Sequence, residues 1–320
     1  MSHFLFSLNA TMPVFLIILL GWILMQVHLF NQEFLKVADK YVFKVALPLL
    51  LFHDIATTDI RSAFSGKFVS FCMLATTCMF LGVWILARLF LKDRSMIGAF
   101  AQASARGSAA ILGIAFVQNI YGDSGMAPLM IVSAVPLYNI YSVIILTVCA
   151  RYSSSDLPQA KKSSLLKATL FNIITNPIIL GIFAGLPFSL LDITIPPIPL
   201  KAITNVAATA TPIALLSIGA GFEGKKALAK IKPTIAASFL KLIGIPALFF
   251  PFALRLGFSG SEMVAILVML GSPTTVSCYI MAKNMGNDEV LTSSIVVLTT
   301  LLSSVTLTGW IFLLRTMGLV

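Results

Sequence analysis

The chain has 320 residues, of which 58% are hydrophobic and only 11% are charged. A soluble fold cannot bury so much apolar surface, so the composition predicts an all-α membrane protein with several spans. The net charge of +10 does not indicate a nucleic-acid partner, because the basic residues are scattered through short loops beside apolar segments that contact the lipid bilayer.

Ten apolar segments predict ten transmembrane helices, since they are long, continuous and without the alternation of a membrane barrel. Their approximate bounds are 5–27, 41–56, 68–91, 95–121, 127–150, 168–187, 201–222, 233–256, 262–283 and 290–314. Lys and Arg concentrate in the loops after the odd-numbered segments, which the positive-inside rule places in the cytoplasm. We therefore expect both termini outside, in an integral protein of the bacterial inner membrane.

The longest polar link, at 151–167, separates a first repeat at 1–150 from a second repeat at 168–320. Proline and glycine recur across this link at a constant offset of 164 residues. The matched pairs are Pro13 with Pro177, Gly21 with Gly185, Pro48 with Pro212, Gly107 with Gly271 and Gly122 with Gly286. Because each unit has five helices, an odd number, the second enters from the opposite side, which predicts an inverted repeat within one membrane domain.

The fourth and ninth segments carry polar interruptions at matched positions, with Arg106-Gly107-Ser108 in one and Gly271-Ser272-Pro273 in the other. An arginine at membrane depth is costly, so its place beside glycine and serine predicts broken backbone around a polar cavity. Paired broken helices indicate the binding site of a transporter. The predicted substrate-binding residues are Arg106, Gly107, Ser108, Ala109, Asn139, Lys241, Ser272, Pro273, Thr274 and Thr275.

The N–H groups that begin each second half-helix attract an anion, and Arg106 and Lys241 add positive charge. Each residue also has a structural interpretation. Gly107, Ser108 and Ser272 can be small-residue helix contacts, while Arg106 can bond to carbonyls that the break frees. Lys241 can contact substrate, pair with a carboxylate or extend towards an interface, and Asn139 can line the cavity or bond across helices.

His53 and Asp54 end the second segment. A titrating histidine beside a carboxylate can couple proton movement to transport, although a polar helix end in water is the alternative. The four cysteines lack the spacing of metal ligands, so we predict neither a metal site nor a cofactor.

Several short stretches, taken together, carry a family resemblance. They are Ala46-Leu47-Pro48-Leu49-Leu50-Leu51-Phe52, Arg106-Gly107-Ser108 followed by Leu112-Gly113-Ile114, Thr175-Asn176-Pro177-Ile178-Ile179, Ala210-Thr211-Pro212 followed by Gly219, and Gly271-Ser272-Pro273 before Ala282-Lys283-Asn284. In order and spacing they resemble the auxin efflux carrier family, which includes plant PIN transporters and bacterial carriers of malonate-like acids. Two departures are Ser108, where the family often has Asn, and Ala115, where it often has Pro.

The resemblance implies the ten-helix fold shared with bile-acid symporters, in which helices four and nine are broken and cross at the midplane. It also implies a scaffold of helices one, two, six and seven, often dimeric, and a moving bundle of helices three, four, five, eight, nine and ten that works as an elevator.

We therefore expect a secondary transporter of small organic anions, such as auxin- or malonate-like carboxylates, and not an enzyme, because no nucleophile has a plausible base. The alternatives are a sodium-coupled symporter of bile-acid type and a sensor with the same fold. Sodium coupling would require carboxylates or amides at the crossing, and the sequence places none there.

Overall fold

The computed structural model of the chain describes residues 2–57, 65–153, 170–191 and 193–320. Regular structure in these residues is helical throughout, apart from an isolated bridge between Gly107 and Thr274. This confirms the all-α class. Most of the predicted linker at 151–167 lies outside the described residues.

The helices that position the site are numbered here in chain order. They are α1 (Ser2–Gln26), α2 (Gln32–Tyr41), α3 (Leu47–Ala56), α4 (Gly66–Phe90), α5 (Ile97–Ala105), α6 (Ala109–Tyr121), α7 (Ala127–Ser153), α8 (Pro177–Leu190), α9 (Pro197–Ala208), α10 (Ala210–Ala220), α11 (Gly224–Ala229), α12 (Ile231–Phe239), α13 (Ile245–Arg255), α14 (Gly260–Gly271), α15 (Ser277–Asn284) and α16 (Glu289–Thr316). Two short π-helical segments, Val42–Ala46 and Leu240–Gly244, join α2 to α3 and α12 to α13.

Five helical stretches of the described chain are individually long and apolar enough to cross a membrane. They are Gly66–Phe90, Ala127–Ala150, Pro197–Ala220, Ile231–Arg255 and Glu289–Thr316. Shorter apolar helices occur at Met12–Gln26, Leu112–Tyr121, Pro177–Ser189 and Gly260–Gly271. The protein is therefore an integral membrane protein, while the number of ten spans stays a prediction.

The helical run that contains the second predicted span begins at Gln32, not near residue 41. The Asn31 side chain caps it by accepting a hydrogen bond from the N–H of Phe34 at 2.8 Å. Its first ten residues include several charged side chains, so apolar content alone placed the start too late.

Helix starts recur at the offset of 164 that the glycine and proline pairs predicted. Adding 164 to the first residues of α2, α4, α5 and α7 gives positions within about two residues of the starts of α9, α12, α14 and α16. The start of α6 maps about four residues before α15. These helix boundaries therefore follow the same offset as the glycine and proline pairs, while the duplication and the inverted orientation of the second unit stay predictions.

Close helix contacts depend on glycine in two pairs of helices. α1 packs against α10, and α3 packs against α8. A Cβ on Gly219 would lie 2.8 Å from the carbonyl carbon of Ile18, and a Cβ on Gly181 would lie 2.9 Å from the Cα of Pro48. Because real Cβ atoms do not approach backbone so closely, these glycines let the helices meet at short separation.

Candidate transport site

Two helices are broken where the sequence predicted, and the breaks contact each other. α5 ends at Ala105 and α6 begins at Ala109, while α14 ends at Gly271 and α15 begins at Ser277. The N–H of Ser108 donates to the carbonyl of Pro273 at 2.9 Å. We call the two contacting segments, residues 106–108 and 272–276, the crossing.

Side chains from other helices satisfy backbone groups that the second break frees. Pro273 has no N–H to donate to the carbonyl of Met269, and the hydroxyl of Tyr138 donates to that carbonyl instead, at 2.7 Å. The N–H of Thr274 donates to Oγ1 of Thr299 at 3.1 Å, and its hydroxyl donates to the carbonyl of Ala103 at 2.7 Å. Such pairing makes non-helical backbone tolerable at membrane depth.

Arg106 is buried and is held by two side chains. Its Nη2 donates to Oδ1 of Asn139 and its Nη1 to Sδ of Met281, each at 2.7 Å. Asn139 is itself oriented, because its Nδ2 donates to the carbonyl of Val135 at 2.9 Å. Since none of the ion pairs among the described residues includes Arg106, no carboxylate of that part of the chain neutralises the guanidinium.

Lys241 lies behind the crossing and is fully buried. Its Nζ donates to the carbonyls of Ala105, at 3.1 Å, and Leu270, at 2.9 Å. Gly107 leaves room for it, because a Cβ at that position would lie 2.8 Å from Nζ. The ammonium group therefore bonds to the C-terminal ends of both first half-helices, a role that the sequence analysis did not consider for Lys241.

A cavity of about 610 Å³ opens on one side of the crossing. It extends from the crossing, between α3, α7 and α10, to Thr57 and Ser124 at helix ends. Its lining residues are Leu47, Leu50, Leu51, His53, Asp54, Thr57, Arg106, Gly107, Ser108, Ala110, Ile114, Ser124, Pro128, Ile131, Val135, Tyr138, Ala210, Thr211, Ala214, Thr275, Val276 and Ser277. The volume is in the range of small-molecule sites.

Six of the twelve residues predicted for binding or proton coupling line this cavity, namely His53, Asp54, Arg106, Gly107, Ser108 and Thr275. The other six, Ala109, Asn139, Lys241, Ser272, Pro273 and Thr274, are not among the lining residues. Several of them support the site from behind, as Asn139 does for Arg106.

Sequence reasoning missed the start of α15 at Val276 and Ser277, because it placed the break at Pro273 alone. The β-branched run Thr274-Thr275-Val276 is a signal for the longer break, since such residues lower helix propensity. Thr211 was also missed, although it precedes Pro212, which belongs to the repeated pairs.

The first turns of two helices face the cavity together. α6 begins after Ser108 and α15 after Val276, and neither residue makes a side-chain capping bond. The first-turn N–H groups of α6 have no acceptor within their own helix. In α15 the N–H groups of Cys278 and Tyr279 donate to the carbonyls of Thr275 and Val276, each at 3.0 Å. Both helices present the positive end of a dipole to the cavity. With the Arg106 guanidinium in the same wall, the arrangement favours a negatively charged ligand.

Comparison with known proteins agrees with this geometry. A family described as "Membrane transport protein" matches residues 6–311. The chain belongs to this family. The match confirms the resemblance to auxin efflux carriers and identifies a membrane transporter, not an enzyme.

Similar proteins align with this transporter almost from end to end. A protein of Rhizobium meliloti (strain 1021), whose name provisionally assigns it malonate transport, is 25% identical over 96% of this chain and 95% of its own. An uncharacterized transporter of Methanocaldococcus jannaschii is 22% identical over 96% of this chain and 99% of its own. Another uncharacterized transporter, of Methanothermobacter thermautotrophicus, is 20% identical over 96% of this chain and 98% of its own.

At the far end of the transporter's cavity, His53 and Asp54 lie side by side. Nδ1 of His53 is 3.4 Å from Oδ1 of Asp54, and both side chains are half-buried. Thr57, one helical turn on, donates its hydroxyl to the carbonyl of His53 at 2.8 Å. Both side chains line the cavity.

The opposite side of the crossing is tied together by ion pairs. Nζ of Lys283, in the last turn of α15, is 3.0 Å from Oδ2 of Asp39 in α2 and 3.3 Å from Oε2 of Glu289 in α16. The Asp39 side chain is only 3% exposed. Asp39 and His53 occupy the same helical run, 14 residues or about 21 Å apart, so the ion pairs and the open cavity lie at opposite ends of it.

Proposed function

We propose that the protein is a secondary transporter that binds a small organic anion, such as a malonate- or auxin-like carboxylate, at the crossing. One observation supports this most strongly. The N-termini of α6 and α15 begin at the same cavity, and the guanidinium of Arg106 lines it. A carboxylate there accepts hydrogen bonds from helix N–H groups and is attracted by a cation that has no ion-pair partner among the described residues.

Cavity shape and similarity favour a carboxylate small enough to enter from the Thr57 end. The aliphatic lining from Leu47, Leu50 and Ile114 suits the apolar part of such an acid, while the crossing holds its charge. The Rhizobium meliloti relative carries malonate transport in its name, which makes malonate the first compound to test.

In this proposal the protein works by alternating access, in which the binding site opens first to one side of the membrane and then to the other. We place both termini outside, so that the cavity opens outward and the Asp39, Lys283 and Glu289 cluster closes the cytoplasmic side. The bundle of α4–α7 and α12–α16 then moves as an elevator against a scaffold of α1–α3 and α8–α10, breaking these ion pairs to open inward. The scaffold also forms the proposed homodimer in the bacterial inner membrane.

Matched acids and amides test the anion site directly. We expect malonate to raise the melting temperature of the purified protein by a few degrees in a saturable way, because a ligand that binds only the folded state stabilises it. Malonamide, which has the same skeleton without charge, should have no effect. Indole-3-acetate and indole-3-acetamide form a second pair for auxin-like acids. Equal shifts from an acid and its amide, or none from either, would contradict an anion site at the crossing.

His53 and Asp54 are proposed to couple proton movement to transport. We expect His53→Asn to flatten the pH dependence of malonate uptake into proteoliposomes, because asparagine cannot take up and release a proton as an imidazole can. The control is His28→Asn, because His28 is exposed and has φ 59°, a conformation that asparagine tolerates. Malonate itself changes protonation with pH, and comparing the two variants at the same pH cancels this effect. An unchanged profile for His53→Asn would remove this pair from the mechanism.

A further inference from the structure

Lys241 fills the position at which two half-helices end. It belongs to the π-helical segment Leu240–Gly244, and such segments are frequent at functional sites. Its Nζ donates at 3.1 Å to the carbonyl of Ala105, the last residue of α5, and at 2.9 Å to that of Leu270, in the last turn of α14. One buried ammonium group thus bridges the C-terminal ends of both broken helices.

These carbonyls are the kind that bind a coupling cation in transporters. The end of a helix carries unpaired carbonyls and a partial negative charge, and unwound helices at a transport site use them to coordinate sodium or a proton. Here two such ends converge on Nζ of Lys241, and a positive charge is stabilising at the C-terminal end of a helix. The N-terminal ends across the break face the anion cavity instead.

The surroundings of Lys241 leave the carbonyls as its main partners. It is 0% exposed, and it forms none of the ion pairs seen between described residues. Gly107 and Ser272 pack beside it, and Oγ of Ser272 is buried without a hydrogen-bond partner in the described part of the chain. A lysine held this way fixes the two half-helices and supplies their charge.

We propose that Lys241 is a built-in cation that takes the place of a coupling sodium ion, so that the protein carries its anion without sodium. The proposal rests on the anion site proposed above and assigns that site to a sodium-independent carrier. Because the ammonium group is covalently attached, it stays in place when the transporter returns without substrate. No sodium ion crosses the membrane with the anion, so a sodium gradient cannot drive transport. This separates the chain from sodium symporters with broken helices.

Cation exchange and replacement of the lysine test the proposal without any substrate. The melting temperature of the wild-type protein should be the same in sodium, potassium and choline chloride at equal ionic strength. Lys241→Ala should melt about 5 °C lower or more, because two charge-assisted hydrogen bonds are lost. Ethylammonium chloride should restore part of that loss, since the small cation fits the vacated space, but should not restore Lys241→Met, whose side chain fills it.

The matched control is Lys44→Met, because Lys44 lies in the other π-helical segment and is exposed. It should melt like wild type. A wild-type protein that sodium stabilises above potassium and choline, or an alanine variant that ethylammonium leaves unchanged, would overturn the proposal.

Should Lys241→Ala fail to fold, the wild-type protein still decides the question. Its malonate-induced stabilisation should have the same midpoint in sodium and choline chloride, and a shift that requires sodium would overturn the built-in cation. Absence of any malonate shift in both salts would instead contradict the anion site, while the substrate-free cation series still tests Lys241.

Discussion

Replacing Arg106 by glutamine is expected to weaken carboxylate binding about a hundredfold. The guanidinium lines the cavity and has no ion-pair partner among the described residues. At an effective dielectric constant near 20, a cation about 5 Å from a carboxylate contributes roughly 3 kcal/mol, which corresponds to about two powers of ten in affinity. Malonate affinity on folded, monodisperse protein is the measurement, because glutamine also changes the contacts to Asn139 and Met281.

Two further variants separate charge from geometry at this position. Arg106→Lys should keep part of the affinity, since it keeps the charge but loses the planar pair of hydrogen bonds. Arg88→Gln removes an exposed arginine that lies over the ring of Trp84, away from the cavity lining, and should bind malonate like wild type. Full affinity in Arg106→Gln would mean that the residue only holds Asn139 and Met281, and that helix N-termini alone bind the anion.

The breaks could be predicted from sequence because their causes are local. Gly107 lowers helix propensity and Pro273 removes a backbone donor, and both act within one helical turn. The two breaks could be matched because Gly107 and Gly271 are 164 residues apart, and the helix starts follow the same offset. Local chemistry and a constant residue offset can both be read from a single sequence.

The partners of the buried cations could not be predicted in the same way. Lys241 meets carbonyls 136 and 29 residues away, and Arg106 meets Asn139 and Met281 on two different helices. These contacts depend on how α5, α7, α14, α15 and the segment Leu240–Gly244 are placed in three dimensions, and hydropathy does not predict that placement. Sequence therefore located the charged residues at the crossing but left the choice between ligand contact and internal bonding open.

The closed side of the crossing shows a similar limit. Asp39 lies just before the predicted second span, Lys283 lies in the last turn of α15 and Glu289 begins α16, and charged residues are ordinary at the ends of membrane spans. Their pairing becomes apparent only because the second half of the broken helix, α15, ends between α2 and α16. These three residues form no recognisable sequence motif. Their ion pairs nevertheless join α15 to α2, and the proposed mechanism requires these two helices to separate.

Replacing Pro273 by alanine is expected to reduce malonate uptake at least tenfold at equal expression. Proline disfavours a continuous helix by about 3 kcal/mol relative to alanine, so the change shifts the balance towards an unbroken helix by up to about a hundredfold. An N–H at 273 can also donate to the carbonyl of Met269, which now accepts the hydroxyl of Tyr138. The N-terminus of α15 would then no longer begin at the cavity, and the bond from Ser108 would be lost.

The control for this variant is Pro251→Ala, because Pro251 lies inside α13, is exposed and is not among the cavity-lining residues. It removes the same ring from a membrane helix, so it reports the general effect of losing a proline. Uptake in proteoliposomes should stay near the wild-type level for Pro251→Ala and fall for Pro273→Ala, with malonate affinity falling in parallel. Equal uptake by the two variants would show that transport does not depend on the break at Pro273, and would leave the pairing of two helix N-termini without a role in anion binding.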